Sequence, residues 1–243
     1  EIGKAMGEEA AAQEVSVLLG PGLNTKRSPL CGRNFEYFSE DPYLSGKMAA
    51  GYVRGIQSNG ISACPKHFAV NNQELRRMAS DSVVDERTLR EIYLAGFETA
   101  VKKAKPWTMM CSYNRINGVY SSENGRLMND ILRGEWNFDG FVMTDWGAIN
   151  DRVRGVESGI DLEMPSSGGM TDREIVAAVR SGALDISLVD QAAARILDIV
   201  CRYHDSDQKR APYDRERHHA LARKIAGECI CLLYTSPSPR DTR

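Results

Sequence analysis

The chain has 243 residues, of which 42% are hydrophobic and 26% are charged, an ordinary globular composition that excludes the disordered and collagen-like classes. Its 31 basic and 33 acidic residues give a formal net charge of -2, so we expect no basic surface and no nucleic acid partner. The sequence contains no apolar stretch of the roughly 20 residues that cross a bilayer, so we expect no membrane partner either.

Five short apolar runs rich in β-branched residues predict buried β-strands. In chain order they lie at residues 15–19, 61–64, 108–111 and 141–143, with a weaker run at 159–164. Helical periodicity fills the intervals between them. The predicted helices occupy residues 42–58, 85–104, 122–136 and 172–181, followed by a helix from Ser187, which forms a capping-box-like pair with Asp190.

The helix predicted at residues 85–104 is strongly amphipathic. Its apolar face comprises Leu89, Ile92, Tyr93, Phe97, Ala100 and Val101, at three- and four-residue spacing. A helix of this kind is typical of a layer that covers a sheet.

Strands that alternate with helices predict an α/β fold with a parallel sheet. Five units with polar residues at corresponding strand ends favour an incomplete (β/α)8 TIM-type barrel over an open doubly wound sheet. No glycine-rich phosphate fingerprint follows any of these strands, which argues against a nucleotide-binding Rossmann fold.

The pattern changes beyond residue 204. We expect the partial barrel to occupy residues 1–204, a polar linker to occupy 205–217, and only the beginning of a second α/β domain, a helix running into a strand, to occupy 218–233. Residues 234–243 are rich in Ser, Pro and charge without periodicity, so we expect a disordered tail that does not join the core.

The six cysteines lie mostly singly within apolar runs, which is more typical of reduced core thiols than of a disulfide framework. They are Cys31, Cys64, Cys111, Cys201, Cys229 and Cys231. This usage favours a cytoplasmic location. Because the first residue is Glu1 rather than Met, the N-terminus is uninformative about export.

Polar residues follow each of the first four strands. They are Gly20, Pro21 and Gly22 leading to Arg33 and Glu36; Lys66 and His67; Tyr113 and Asn114; and Asp145 and Trp146. The carboxyl ends of parallel barrel strands form one face, so we expect these side chains to converge. Charged donors bind hydroxyl oxygens and an indole stacks on the C–H face of a sugar ring, so the set suits a neutral, hydroxyl-rich ligand.

Five segments resemble glycoside hydrolase family 3, the β-glucosidase-like retaining enzymes. They are LLGPGLNTKRSPLCGRNFEYFSEDP (18–42), ACPKHFAVNNQE (63–74), VDERTLREIYLAGFE (84–98), MMCSYNRING (109–118) and LRGEWNFDGFVMTDWGA (132–148). Five blocks in the family's order, spread over nearly all of residues 1–233, make the resemblance specific.

The resemblance implies a role for each matching residue. The nucleophile falls on Asp145, and the sugar-binding residues are Arg33, Lys66, His67, Arg77 and Tyr113, with Trp146 flanking the neighbouring subsite. It also implies double displacement through a glycosyl-enzyme ester, with net retention and with no cofactor. The expected partner is a small carbohydrate with a terminal β-D-glucosyl or β-xylosyl residue.

A retaining glycosidase needs a second carboxyl group, which acts as acid/base. In the resembled family this is a Glu from the domain that follows the barrel, and the first barrel strand precedes the region that corresponds to Glu1. We therefore expect the chain to be an internal fragment that lacks its acid/base, and an inactive fragment that only binds sugar is an alternative to the hydrolase. The tail at 234–243 has no counterpart in the family.

Structural interpretations stay open for the carboxylates on sequence alone. An isolated Asp at the position of Asp145 is about as often a helix N-cap as a catalyst. Glu163, at the end of the fifth run, more readily pairs with a barrel arginine than faces the site.

The other residues have equally ordinary roles. Lys66 and His67 suit an ion pair and a satisfied core histidine, and Tyr113 suits loop packing. Arg33 and Arg77 suit solvated surface charges. The spacing of His204, His218 and His219 indicates no metal site.

Two other activities compete with a β-glucosidase. A branch of the same family removes β-N-acetylglucosamine and has a PGHG continuation after KHF, whereas KHF is followed here by AVNNQE. A Schiff-base aldolase is the alternative from another class of enzyme. Lys66 lies at the end of a predicted strand, and a desolvated lysine at such a position can attack a carbonyl.

Overall fold

The computed structural model describes residues 1–206 and 212–230. Its strands are β1 (Val17–Leu18), β2 (Ser62–Ala63), β3 (Asp81–Ser82), β4 (Thr108–Met110), β5 (Arg115–Ile116), β6 (Val119–Tyr120) and β7 (Phe141–Met143). Its α-helices are α1 (Ile2–Ala12), α2 (Pro42–Gln57), α3 (Glu86–Thr88), α4 (Ala95–Ala104), α5 (Arg152–Glu157), α6 (Met170–Ser181), α7 (Ile186–Asp205) and α8 (Arg215–Cys229). Two π-helical segments, Leu89–Leu94 and Arg126–Glu135, and a 3-10 turn, Ser121–Glu123, complete the list.

The five predicted apolar runs lie side by side in a parallel row. Strand β1 pairs with β2, and β4 pairs with β7. A parallel bridge between Phe68 and Cys111 joins these two pairs, and another between Met143 and Leu162 adds the fifth run. The prediction of an α/β fold with a parallel sheet is therefore confirmed.

Closure of this row into a barrel is not seen in the described part of the chain. Among residues 1–206 and 212–230, no backbone pairing joins the segment around Leu162 back to β1. The (β/α)8 barrel stays a prediction, and what the structure establishes is the parallel α/β layer.

The amphipathic helix predicted at 85–104 forms as one helical run with a π turn inside it. Asp85 caps its start by accepting a hydrogen bond from the Thr88 amide at 3.0 Å. Five residues of the predicted apolar face are buried, but Ile92 is 37% exposed. Ile92 lies in the π segment Leu89–Leu94, whose wider turn breaks the three- and four-residue spacing on which the prediction rests.

Helix α7 begins earlier than predicted. Its N-cap is Asp185, which accepts a hydrogen bond from the Ser187 amide at 2.9 Å, so the predicted cap at Ser187 is wrong. An Asp carboxylate is a good acceptor for these free N–H groups, and here it lies two residues before the predicted cap.

The predicted linker is partly helical. Asp205 belongs to α7, and residues 215–217 belong to α8, which contacts α1 through His218 and Glu9 at 2.7 Å. Residues 207–211 lie outside the described part, as do the predicted strand after α8 and the tail at 234–243. The division into domains therefore stays a prediction.

The cysteines of the described part have free thiols. Cys31, Cys64 and Cys111 are buried as predicted, whereas Cys201 and Cys229 are exposed, and Cys231 lies outside the described residues. No helix of residues 1–206 and 212–230 is long and apolar enough to cross a membrane.

Asp161 ties four parts of the fold together from a buried position. Its Oδ2 accepts hydrogen bonds from Arg133 Nη2 at 2.6 Å and from the Val142 amide of β7 at 2.7 Å. Its Oδ1 accepts from Arg195 Nη1 of α7 at 2.9 Å. Since only 4% of this residue is exposed, its loss removes a buried negative charge from two guanidinium groups and a hydrogen-bond acceptor from the Val142 amide.

We therefore expect Asp161→Ala to lower the free energy of unfolding by about 3–5 kcal/mol, because it removes the buried carboxylate that pairs with both Arg133 and Arg195. Asp139→Ala is the matched control, since that side chain is 65% exposed and its pairing with Arg202 at 3.7 Å contributes about 0–1 kcal/mol. Urea unfolding measures both. Equal losses in the two variants would contradict the role given to Asp161.

Candidate active site

Asp145 lies just beyond the end of β7, where the chain leaves the sheet. It is 8% exposed, and its Oδ1 accepts a hydrogen bond from the Trp146 amide at 2.8 Å. The next helix, α5, is capped by Asp151, so Asp145 caps no helix and that structural interpretation is wrong. Its Oδ2 is buried and accepts no hydrogen bond within the described residues.

His67 stands next to this vacant oxygen. Its Nε2 lies 3.5 Å from Asp145 Oδ2 but accepts a hydrogen bond from Arg33 Nη2 at 2.8 Å. The ring proton is therefore on Nδ1, which donates to the Tyr37 hydroxyl at 2.9 Å. Burial, together with the nearby charges of Arg33 and Lys66, lowers the pKa of His67 to about 2. The imidazole is neutral and has no proton to offer Asp145.

Arg33 and Lys66 share one carboxylate, that of Glu36. Arg33 Nε donates to Glu36 Oε1, and Lys66 Nζ lies 3.2 Å from Glu36 Oε2. Burial alone raises the pKa of Glu36, but the hydrogen bond from Arg33 and the charge of Lys66 hold it below its ordinary value. All three side chains are half-buried, so this ion group is fixed in a setting where solvent screens it weakly.

Arg77 reaches the site from the loop between β2 and β3. Its Nη1 donates to Glu74 Oε2 at 2.9 Å, and its guanidinium carbon lies 4.4 Å from the centre of the Tyr113 ring. The Tyr113 hydroxyl in turn donates to the Trp146 carbonyl at 3.0 Å. Burial and the neighbouring Asp145 carboxylate raise the pKa of Tyr113 to about 12. These contacts bring Arg77 and Tyr113 to the aspartate.

Trp146 is the exception among the predicted residues. Its side chain is 43% exposed and lines an apolar cavity of about 380 Å³ with residues of β1, β7 and the segment around Leu162. None of the predicted cationic residues lines this cavity. Within the described residues, the hydrogen bonds that join Trp146 to Asp145 and Tyr113 are made by its backbone.

Four residues of the site had no assigned role in the sequence interpretation. Glu36 and Glu74 each pair with an arginine three positions away. The sequence shows this spacing, but the spacing alone does not predict a salt bridge in a loop. Tyr37 and Asn24 support His67 from behind, since Asn24 Nδ2 donates to the His67 carbonyl at 2.9 Å and to the Tyr37 hydroxyl at 3.2 Å. Neither carried any sequence signal.

Glu163 does not join this group. Its Oε2 accepts a hydrogen bond from the Thr171 hydroxyl at 2.5 Å and lies 3.7 Å from Arg152 Nε, as the pairing interpretation predicts. In the described ranges, no group of three His, Cys, Asp or Glu side chains is placed to hold a metal ion.

Comparisons with known proteins show what the chain is similar to. A family model described as the glycosyl hydrolase family 3 N terminal domain matches residues 1–199. Thermostable beta-glucosidase B of Acetivibrio thermocellus is 58% identical over 232 residues, which make up 96% of this chain and 31% of that protein. An exo-alpha-(1->6)-L-arabinopyranosidase of Bifidobacterium longum is 49% identical, with 96% of this chain and 31% of that protein covered.

A solved structure gives the same result in three dimensions. Beta-glucosidase 3B from Thermotoga neapolitana, in complex with alpha-D-glucose, superposes with a TM-score of 0.89 at 46% identity. The match covers 94% of this chain and 33% of that one. The chain therefore spans about a third of the length of the relatives that it matches.

The neutral state of His67 makes stability depend on pH. Below about pH 6.5 the unfolded chain binds a proton on this residue, whereas the folded chain does not until about pH 2. Stability therefore falls as the pH falls. Between pH 6.5 and 5 we expect the wild type to lose about 1.5–2 kcal/mol more than His67→Gln, which has no proton to bind. Urea unfolding at several pH values tests this, and parallel losses in the two proteins would refute it.

Proposed function

We propose that this chain, which belongs to glycosyl hydrolase family 3, carries the nucleophile of a retaining glycosidase that cleaves terminal β-D-glucosyl or β-xylosyl residues. The observation that supports this most is the vacant Oδ2 of Asp145. It is a buried carboxylate oxygen with no hydrogen-bond donor among the described residues, and the side chains around it are of types suited to binding hydroxyl groups. A nucleophile needs such an unengaged electron pair.

The charges of the site match a neutral substrate. Three cations, Arg33, Lys66 and Arg77, are balanced by three carboxylates, Glu36, Glu74 and Asp145, while His67 stays neutral. Each cation spends only part of its hydrogen-bonding capacity on these partners. Of the five N–H groups of a guanidinium, Arg33 uses one for Glu36 and one for His67, so three remain for hydroxyl oxygens.

The proposed reaction is a double displacement. Asp145 Oδ2 attacks the anomeric carbon, the glycosidic bond breaks with its electron pair leaving on the aglycone oxygen, and a glycosyl ester forms. The acid/base gives a proton to the aglycone oxygen in this first step. Water then attacks the same carbon, loses a proton to the acid/base and releases the sugar with retained configuration, which restores the carboxylate. The arginine and lysine donors hold the sugar ring so that its anomeric carbon faces Oδ2.

The proposal assigns the acid/base to none of the glutamates described above. Glu36 is held in its ionised form by two cations, and Glu74 and Glu163 are engaged with Arg77 and with Arg152 and Thr171. A carboxylate that accepts hydrogen bonds from cations is a poor proton donor. The resembled family supplies this group as a Glu from the domain that follows the barrel, and we propose the same origin here.

The alternatives have less support. A Schiff-base lysine must be free to attack a carbonyl, but Lys66 Nζ is engaged in an ion pair with the Glu36 carboxylate 3.2 Å away. The continuation AVNNQE after KHF argues against the N-acetylglucosaminidase branch. The name of the Bifidobacterium longum relative makes an α-L-arabinopyranoside the second sugar to test.

We expect Asp145 to be labelled by 2,4-dinitrophenyl 2-deoxy-2-fluoro-β-D-glucoside, whose leaving group needs no protonation, so the test does not require the acid/base. Intact-mass spectrometry will show one added fluoroglucosyl group, and peptide mapping will place it on Asp145. Asp145→Asn should take up no label and should lower the turnover of an activated aryl β-glucoside by about 10⁴-fold or more.

Asp151→Asn is the matched control, because that exposed aspartate only caps α5 and should leave labelling unchanged. A label on Lys66, or none on the wild type, would overturn the assignment of the nucleophile. Aryl β-glucoside, β-xyloside and α-L-arabinopyranoside, compared at equal leaving-group reactivity, then identify the preferred sugar.

A further inference from the structure

We propose that Glu36 is a positioning residue that keeps Arg33 and Lys66 from pairing with the nucleophile, Asp145. The inference rests on the proposed function, since it concerns how that nucleophile stays free. It assigns a role to a side chain that does not itself touch the reacting atoms.

The geometry shows how one carboxylate restrains two cations. Glu36 presents Oε1 to Arg33 Nε and Oε2 to Lys66 Nζ, so each oxygen engages a different cation. The far end of Arg33 donates to His67 Nε2 at 2.8 Å, and that nitrogen lies 3.5 Å from Asp145 Oδ2. A single atom, His67 Nε2, therefore lies between the Arg33 guanidinium and Oδ2 of Asp145.

That vacant oxygen is the natural destination for a released cation. Opposite charges at partly buried positions attract strongly because solvent screens them little. Of the other carboxylates at the site, Glu74 already accepts hydrogen bonds from Arg77 and Asn71, at 2.9 and 3.1 Å. Asp145 Oδ2 accepts none within the described residues. Without Glu36, we expect Arg33 or Lys66 to pair with Asp145 and to withdraw its reactive electron pair.

The titratable groups around Asp145 keep the same charge over the pH range in which this effect is measured. Within the described residues, the groups that interact directly with its carboxylate are His67, Tyr113 and the buried thiols Cys64 and Cys111. Burial raises the pKa of Tyr113 and of both thiols to about 12, and burial lowers that of His67 to about 2. None of them changes charge between pH 3 and 8. Glu36 itself faces Arg33, Lys66 and Tyr37.

The test compares the pH dependence of inactivation by the 2-fluoroglucoside in the wild type and in Glu36→Gln. The glutamine amide keeps the shape of the side chain but can accept from only one cation and repels the other. We expect the second-order rate constant of inactivation to fall roughly 10- to 100-fold. Most of this fall should come from the inactivation rate at saturating fluoroglucoside and little from weaker binding. The acidic limb of the pH profile of that rate constant should move to lower pH by about one unit, because a cation beside Asp145 favours the ionised carboxylate.

Glu163→Gln is the matched control, since Glu163 is a similarly buried glutamate paired with an arginine away from these residues. Its rate and pH profile should equal those of the wild type. Circular dichroism and the melting temperature show whether each variant folds. If Glu36→Gln does not fold, Glu36→Asp carries the test, because its shorter carboxylate cannot reach both cations and should lower the saturating rate about threefold to tenfold.

The outcomes separate this inference from the proposed function. The role of Glu36 would be overturned if Glu36→Gln had the inactivation rate and the acidic limb of the wild type. It would also be overturned if the variant only bound the fluoroglucoside more weakly and its acidic limb did not move. Either result would leave Asp145 as the nucleophile. A wild-type rate in Glu36→Asp, where that variant carries the test, would overturn the role of Glu36 too. A wild-type chain that takes up no label overturns the proposed function, and this inference with it.

Discussion

The parallel register of the strands is the constraint on which the site depends. Met110 of β4 stands opposite Met143 of β7, and Phe68 bridges Cys111. Residues that follow these positions therefore leave the sheet at one edge and at nearly the same height, and Tyr113 and Asp145 come together there. Since successive side chains of a strand point to opposite faces, a slip of one residue would turn Asp145 away from His67. The chemistry of the site is a consequence of strand alignment.

Charge compensation is the second constraint. Three cations in a half-buried space repel one another, and each has a glutamate within ion-pair distance, so the group is stable without a ligand. The stacking of Arg77 on the Tyr113 ring adds an orienting contact that costs no N–H donor. This arrangement leaves N–H donors unused by the carboxylates while the summed charge stays near zero, which is consistent with the uncharged sugar proposed as substrate.

The sequence predicts the parts of this structure that depend on local patterns. Apolar β-branched runs locate the parallel strands to within a few residues. The resemblance of the TDW and KHF blocks to a known family predicts a site at Asp145, Lys66 and His67, and the structure places His67 3.5 Å from Asp145. The sequence does not predict the roles of Glu36 and Glu74, because they lie in irregular loops where no periodicity says which charges meet. The predicted burial of Ile92 is wrong for a different reason, since a π turn changes the helical spacing on which that prediction rests.

Two buried aspartates show why burial alone does not identify a catalytic carboxylate. Asp161 and Asp145 are 4% and 8% exposed; Asp145 follows β7, and Asp161 lies next to Leu162 in the fifth apolar run. Asp161 satisfies its oxygens with two guanidinium groups and a backbone amide, so its electron pairs are engaged in holding the fold. Asp145 has one backbone amide on Oδ1 and leaves Oδ2 vacant beside a neutral imidazole. A protein that leaves a buried carboxylate oxygen unsatisfied gives up stabilisation at that position, and such a cost is typical of groups kept for reaction with a ligand.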